Sequence, residues 1–558
     1  MSRNQQSRFA LNPTNLDMSR SKFPRHSSVK FSFNVGDVVP FYVDEVLPGD
    51  TFSVKTSKVV RMQSLLTPLM DNIYLDYYFF FVPNRIVWEH WRELNGENRE
   101  SAWAQTTEYE VPQVTAPTGG WNIGTIADYM GIPTGVSNIS VNAMPFRAYA
   151  MICDEWFRDE NLVDPLFISK GDAVTTGVNT RTNPGDYAAG GQPFIAAKFH
   201  DYFTSALPSP QKGPDVGIGL TGSFDVTGNG NPIRFSVLTS DGSSVPVGTV
   251  GAAADFSDRR SSGAQNTLGI GFNNTDAVGT LGFPTTAQFT GDVLPFMEVN
   301  LGGVNAVTIN ALRMAFQMQK LYEKDARGGT RYVEILKAHF GVTSPDSRLQ
   351  RPEYLGGSRV PININQVVQT SETGSGTPQG NTAAYSVTTD SHKDFTKSFV
   401  EHGFVIGVCV ARYTHSYQQG IERFWSRKSR FDYYWPVFAN IGEQAILNKE
   451  IYAQGSATDD EVFGYQEAWA DYRYKPSRVA GEMRSSAAQS LDVWHLADEY
   501  IALPSLSAGW IQENKTTVDR VLAVSEQNAN QLFCDIYVEN YTTRPMPVYS
   551  IPGLVDHH

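Results

Sequence analysis

IYLDYYFFFVP, residues 73–83, places Ile73, Leu75, Tyr77, Phe79 and Phe81 on one face of an extended chain, with Asp76 on the other, because successive strand side chains point to opposite sides. Pro83 has no amide hydrogen to donate and closes the run. The reading is a half-buried β-strand. Upstream, FSFNVGDVVPFYVDEVLPGDTFSVKTSKVVRM (31–62) reads as further strands, broken by turn signals at Asn34 to Asp37 and at Pro48-Gly49-Asp50. Comparable alternation returns only late in the chain. There Phe404, Ile406, Val408 and Val410 share one face, and so do Leu532, Cys534, Ile536 and Val538. Strands at both ends suit an antiparallel β-sandwich whose first and last strands pair, with long excursions leaving its corners.

Two unlike excursions fill the middle. AVTINALRMAFQMQKLYEKDARGG and RYVEILKAHFG, within residues 306–341, carry apolar Ile309, Leu312, Phe316 and Leu321 near helical spacing and stop at Gly328-Gly329 and Gly341. This Met and Phe stripe is expected to be core. Residues 211–290 hold 14 of the chain's 47 glycines, with short β runs such as IRFSVL between many turns, which predicts a projecting, loop-rich subdomain with little helix. The expected organisation is a basic arm (1–30), first strands with an insertion (31–206), a Gly-rich insertion (207–294), a helical insertion with loops (295–398), and C-terminal strands with a basic-aromatic segment (399–558).

The 558 residues are 41% hydrophobic and 12% aromatic but only 18% charged, against about 25% charged in ordinary globular chains. So many rings with so few charges point to a surface covered by other subunits. Three cysteines, Cys153, Cys409 and Cys534, are too few and too scattered for a disulfide framework or a Cys-rich metal site. A reducing compartment fits them best. No signal peptide and no apolar run long enough to span a membrane are visible. The net charge of −13 is segregated: residues 1–30 carry +5 and the remainder −18.

Signatures of catalysis are scarce. A G-x-G-x-x-G at 217–222 has no strand before it and no helix after it, so the dinucleotide context fails. P-loop, H-E-x-x-H and G-x-S-x-G patterns are absent from the sequence, and ten dispersed histidines pair only at His557-His558. Acidic runs such as Asp459-Asp460-Glu461 and Asp498-Glu499 read as solvated turns. No catalytic, cofactor or metal residue is assigned.

The candidate site is one of nucleic-acid binding. IERFWSRKSRFDYYWPVF (421–438) interleaves Arg423, Arg427, Lys428 and Arg430 with rings that include Trp425. Cations that follow phosphates and rings that stack on unpaired bases are what a single strand needs. The same residues equally suit packing in a core or between subunits. In the arm, Arg3, Arg8, Arg20, Lys22, Arg25 and Lys30 face Asp17 alone and are candidates to collect phosphates. Alternatively, Phe9, Leu11 and Phe23 tie the arm to a neighbouring subunit.

Several long stretches together resemble the major capsid proteins of microviruses, of the gokushovirus type. They are SLLTPLMDNIYLDYYFFFVPNRIVW (64–88), INALRMAFQMQKLYEKDARGGTRYVEILKAHFGVTSPDSRLQRPEYLGG (309–357), IERFWSRKSRFDYYWPVFANIGEQAI (421–446) and the C-terminal RPMPVYSIPGLVDHH. The resemblance covers nearly the whole chain except about 207–294. It implies a jelly-roll β-sandwich of viral coat type with long helical and loop-rich insertions, and no catalysis. It also implies sixty copies in a T=1 icosahedral shell around a circular single-stranded DNA genome. The implied partners are an internal scaffolding protein, a DNA-pilot protein and a host surface receptor met by the variable insertion. The implied location is the virion, after assembly in the bacterial cytoplasm without membrane insertion. The competing reading is a carbohydrate-active or carbohydrate-binding sandwich, with Trp and Tyr stacking on sugars.

Overall fold

The first two turn signals fold as read. Asp37 donates its amide to Asn34 O across a turn in which Gly36 has φ +88°, and Gly49 adopts φ +90° in the next reversal, a left-handed conformation that costs glycine nothing. The computed structural model describes residues 19–100, 107–217, 308–375 and 378–549, with the backbone of five short strands between Phe235 and Pro295. The chain divides into two units, Met1–Gly213 with Leu321–His558, and Pro214–Lys320.

The first unit is built on eight long strands: β1 (Ser27–Phe33), β2 (Asp37–Val46), β3 (Thr51–Met62), β4 (Ile73–Pro83), β5 (Glu353–Pro361), β6 (Thr388–Ser398), β7 (Gly403–Tyr413) and β8 (Leu532–Arg544). One sheet runs β1-β8-β3-β6 and the other β5-β4-β7-β2, with every neighbour antiparallel. Each sheet interleaves early and late strands, which is the jelly-roll order. The first and last long strands pair, as the two-ended pattern predicts: Val29 lies opposite Ile536.

The alternating residues meet between the sheets. Ile73, Leu75, Tyr77, Phe79 and Phe81 of β4 join Leu532, Cys534, Ile536 and Val538 of β8 in one core. Phe79 packs on Phe395 at 5.4 Å between ring centroids, and Phe52 on Phe399 at the same distance. Burying one such ring stabilises the fold by roughly 1.5–3 kcal/mol.

The expectation that β4 is half-buried is corrected. Its other face is covered too, because the excursion after β4 returns as helix α1 (Met144–Ile152) over a second core. That core contains Phe80 and Val82 of β4 and Phe404, Ile406, Val408 and Val410 of β7. Even Asp76 is fully buried, held by Arg359 at 2.6 Å and by Arg412. The sequence shows which residues alternate; it does not show that an insertion covers the polar side.

Helices α2 (Ile309–Gly328) and α3 (Tyr332–Phe340) form where the spacing predicts, and α3 ends at left-handed Gly341. Their apolar stripe is not core. Phe316 is 58% exposed, Met314 and Leu321 are exposed as well, and Ala326 is the one buried residue of α2. Helical period specifies an apolar face but does not require the same chain to cover it.

Ser21–Pro24 pairs with the C-terminal end of β8, Phe23 lying opposite Thr542. Strand structure therefore reaches into the segment read as an arm, from Ser21 onward. In the Gly-rich insertion the described residues are Phe235–Leu238, Ser244–Pro246 and Val293–Pro295, which form one small antiparallel sheet, and Gly271–Phe272 with Leu281–Gly282, which form a two-stranded ladder. Residues 207–217 are described as well, Leu207 pairing with Tyr465, and the remainder of that insertion lies outside the described residues.

Candidate nucleic-acid interface

The basic-aromatic segment leaves β7 and runs as three short turns, Arg423–Ser426, Arg430–Asp432 and Pro436–Phe438. Local side chains fix them. Asp432 accepts from the amides of Ser429 at 2.7 Å and Lys428 at 2.9 Å, and these backbone donors hold its carboxyl below the usual range. Trp435 Nε1 donates to Arg430 O at 2.9 Å, and Trp469 Nε1 donates to Phe438 O at 2.8 Å.

The candidate cations fall into two groups. Arg423 donates to Ala445 O at 2.8 Å and lies 3.5 Å from the buried Glu450 carboxylate. Arg427 is turned inward onto Asp471, and its guanidinium lies 4.4 Å over the Tyr472 ring. These two act as clamps, with their charge opposed by carboxylates. Lys428 and Arg430 point to solvent, and Arg430 lies 4.9 Å over the exposed Phe431 ring. Trp425 is 70% exposed and tilts against Phe424 at 4.8 Å.

Beneath Trp425 lies a cavity of about 430 Å³ lined by Arg423, Phe424, Trp425, Tyr474, Lys475, Arg478 and Arg484. Lys475 and Arg478 share Glu422, Arg478 at 3.7 Å, and both remain largely exposed. These residues went unnoticed in the sequence, although DYRYKPSR (471–478) shows the same interleaving of rings and cations on a smaller scale. The lining also includes the carboxylates of Glu422, Glu450 and Asp471, so the arrangement offers ring faces beside five cations and three anions.

Of the arm residues, Arg3 and Arg8 lie outside the described residues. Arg20 is exposed beside the Gly49 turn. Lys22 Nζ lies 4.2 Å over the Tyr541 ring. Arg25 forms a two-pronged ion pair with Asp44, both bonds 2.7 Å, and Tyr42 OH donates to the same carboxylate at 2.8 Å. Burial, and then Asp44, push the Tyr42 hydroxyl well above its ordinary range. Lys30 is 3.4 Å from Asp535 and largely exposed. Arg25 therefore fastens the chain to β2, while Arg20, Lys22 and Lys30 line an accessible strip along β8.

Of the acidic pair Asp498-Glu499, read as a solvated turn, Glu499 is exposed but Asp498 is buried. Asp498 accepts from His415 Nδ1 at 3.1 Å, Glu513 meets His415 Nε2 at 2.9 Å, and Lys198 lies 3.5 Å from Asp498. Burial alone would lower the histidine, but the two carboxylates overcome it and carry His415 up to about 9. Burial would raise Asp498, but His415 and Lys198 bring it down to about 2. This imidazolium bridge ties the residues after β7 to two later loops. Among the described residues no group of His, Cys, Asp and Glu is arranged to hold a metal ion, and no helix is long and apolar enough to cross a membrane. All three cysteines are free and buried.

A two-sheet jelly roll with rings left facing solvent suits a subunit that meets copies of itself. The family described as "Capsid protein (F protein)" matches residues 13–554. The chain belongs to that capsid protein family. It is 45% identical to capsid protein VP1 of Chlamydia phage 1, over 98% of this chain and 97% of that protein. It is 43% identical to capsid protein VP1 of Bdellovibrio phage phiMH2K, covering 99% and 98%, and 41% identical to that of Spiroplasma virus 4, covering 95% and 94%. As a capsid protein of this family the chain has full-length relatives among microviruses, and its sandwich spans nearly the same range, from β1 to β8.

Proposed function

We propose that this capsid protein is a structural, non-catalytic subunit of a T=1 shell of sixty copies enclosing a circular single-stranded DNA genome. The reading is supported above all by one observation: a well-packed jelly roll that carries an ordered, solvent-facing surface of rings and cations. A protein complete in itself seldom leaves such a surface bare. Single-stranded DNA meets the cavity under Trp425, where one unpaired base stacks on Phe424 and Trp425 while Lys475, Arg478, Lys428 and Arg430 meet neighbouring phosphates. The basic strip of Arg20, Lys22 and Lys30, with Arg3 and Arg8, adds phosphate contacts. The Gly-rich insertion projects outward and meets a host receptor. By its resemblance to gokushovirus coat proteins, the subunit assembles in the bacterial cytoplasm with an internal scaffolding protein and a DNA-pilot protein.

Expression with the scaffolding protein, followed by sedimentation and nuclease protection, tests this. Megadalton particles that shield single-stranded DNA are the expected result. A monomer that neither assembles nor retains DNA contradicts it.

A further inference from the structure

Beyond the Trp425 cavity, the same segment continues as an apolar ledge that the proposed DNA contacts do not use. Phe431, Tyr433, Trp435, Val437 and Ile441 are all at least half exposed, Val437 at 82%. We infer that this ledge is a subunit-subunit contact, seated in the shell against a second copy of this chain; the inference rests on the shell reading above and names the surface through which part of the shell closes.

Three observations favour a protein occupant over DNA. First, the ledge includes Val437, Pro436 and Ile441, aliphatic groups with no ring face to stack on a base, whereas the stacking rings Phe424 and Trp425 lie at the cavity. Second, the ledge from Phe431 to Ile441 carries no cation of its own: its one charged side chain is Asp432, whose carboxylate lies on backbone amides. A phosphate chain crossing here would meet that carboxylate.

Third, the ledge is held by its own hydrogen bonds. Phe438 donates its amide to Trp435 O at 2.8 Å and Ala439 to Pro436 O at 3.2 Å, while the Trp435 and Trp469 indoles each hold a backbone carbonyl. A surface already ordered loses little conformational freedom when a partner arrives, and Trp and Tyr are the side chains that dominate such contacts.

The exposed area is also substantial. An aromatic side chain buries about 150–250 Å² when fully covered, so half-exposed rings leave roughly 100 Å² each to be covered on docking. Phe431, Tyr433, Tyr434 and Trp435, with the aliphatic Val437 and Ile441, together offer roughly 600 Å², about three-quarters of the ~800 Å² per partner of a standard interface, as suits one contact among several on a shell subunit.

Oxidative footprinting by hydroxyl radicals tests the assignment on dissociated subunits, on DNA-filled particles and on empty particles of the full chain. The expected result is a several-fold fall in oxidation of Phe431 and Trp435 on assembly, with or without DNA. Equal oxidation in particles and free subunits overturns the assignment, and so does protection confined to DNA-filled particles, which would assign the ledge to DNA. As a second arm, Val437→Asp should keep the wild-type melting temperature and lower particle yield at least about ten-fold, the factor that 1.4 kcal/mol of lost contact gives; wild-type yield overturns the assignment. If no particle forms from the wild-type chain under any condition, the shell reading falls and the interface with it, whereas particles with a reactive ledge refute the interface alone.

Discussion

Strand β4 and the ledge are almost equally aromatic, yet they stand in opposite surroundings. Between Ile73 and Pro83 every ring but Tyr74 and Tyr78 is buried, whereas between Phe431 and Ile441 no side chain is. The difference is not composition. Residues of β4 alternate at period two, pair on both sides with β5 and β7 and find apolar partners above and below. The ledge has no sustained period, adopts short turns stapled by Asp432 and Trp435, and presents its rings outward. Aromatic content therefore says how much apolar surface must be covered; periodicity and pairing say whether the chain covers it alone.

The sharpest way to break that contrast is Phe79→Ala. A fully buried ring is removed from between the sheets, and an unfolding free energy lower by ~3–5 kcal/mol is expected from urea titration. A loss below 1 kcal/mol would mean that the core is looser than its contacts indicate.

Next comes the His415 bridge. Its pKa rises from an ordinary 6.5 to about 9 in the folded chain, so the folded state binds the proton more tightly than the unfolded one. The sign follows: the contribution is present in full below pH 6.5 and fades as pH climbs through 9. That rise corresponds to roughly 3 kcal/mol. Asp498 works in the opposite direction, its contribution present above pH 3.8 and lost as pH falls toward 2. Melting curves of wild type and His415→Gln should differ most at pH 6 and converge by pH 10; a constant gap would remove the histidine's charge from the account.

A smaller effect is expected where the N-terminal segment is fastened. Arg25→Ala deprives the buried Asp44 carboxylate of its two-pronged partner while leaving it Tyr42 OH, at a cost of about 1–2 kcal/mol. Amide exchange along Ser21–Pro24 should quicken in step. Protection as in wild type would show that the strand pairing holds without the ion pair.

Smallest on the fold is Lys428→Gln with Arg430→Gln. Both side chains are exposed, so the melting temperature should stay within the equivalent of about 0.5 kcal/mol. If both meet phosphates, the slope of log affinity against log salt for a single-stranded oligonucleotide should fall by about 0.7 per cation removed. An unchanged slope would move the DNA path elsewhere on the subunit.

Much of the fold was legible because it is written locally. Alternation marked β4, β7 and β8, and glycines marked the turns at 36 and 49. What the sequence hid lay in coverage. The stripe through Met314, Phe316 and Leu321 has the spacing of a core helix, yet it is exposed, since spacing does not record which chain supplies the other side. Asp498 resembles any surface acid until His415, 83 residues earlier, is folded against it. At the candidate site, charge and rings picked out 421–438, but Arg427 and Asp471 are 44 residues apart. Which cations were clamps could not be read before those partners met, and Lys475 and Arg478 join the cavity by the same long-range folding.

On the proposed reading, this chain folds completely and still leaves surface for further copies to cover. Mass photometry of the purified chain, with scaffolding protein present and protein concentration raised stepwise, tests it most directly. A shift from subunits and small oligomers to particles of megadalton mass is expected. A single species of 61.8 kDa that persists at the highest concentration would contradict it.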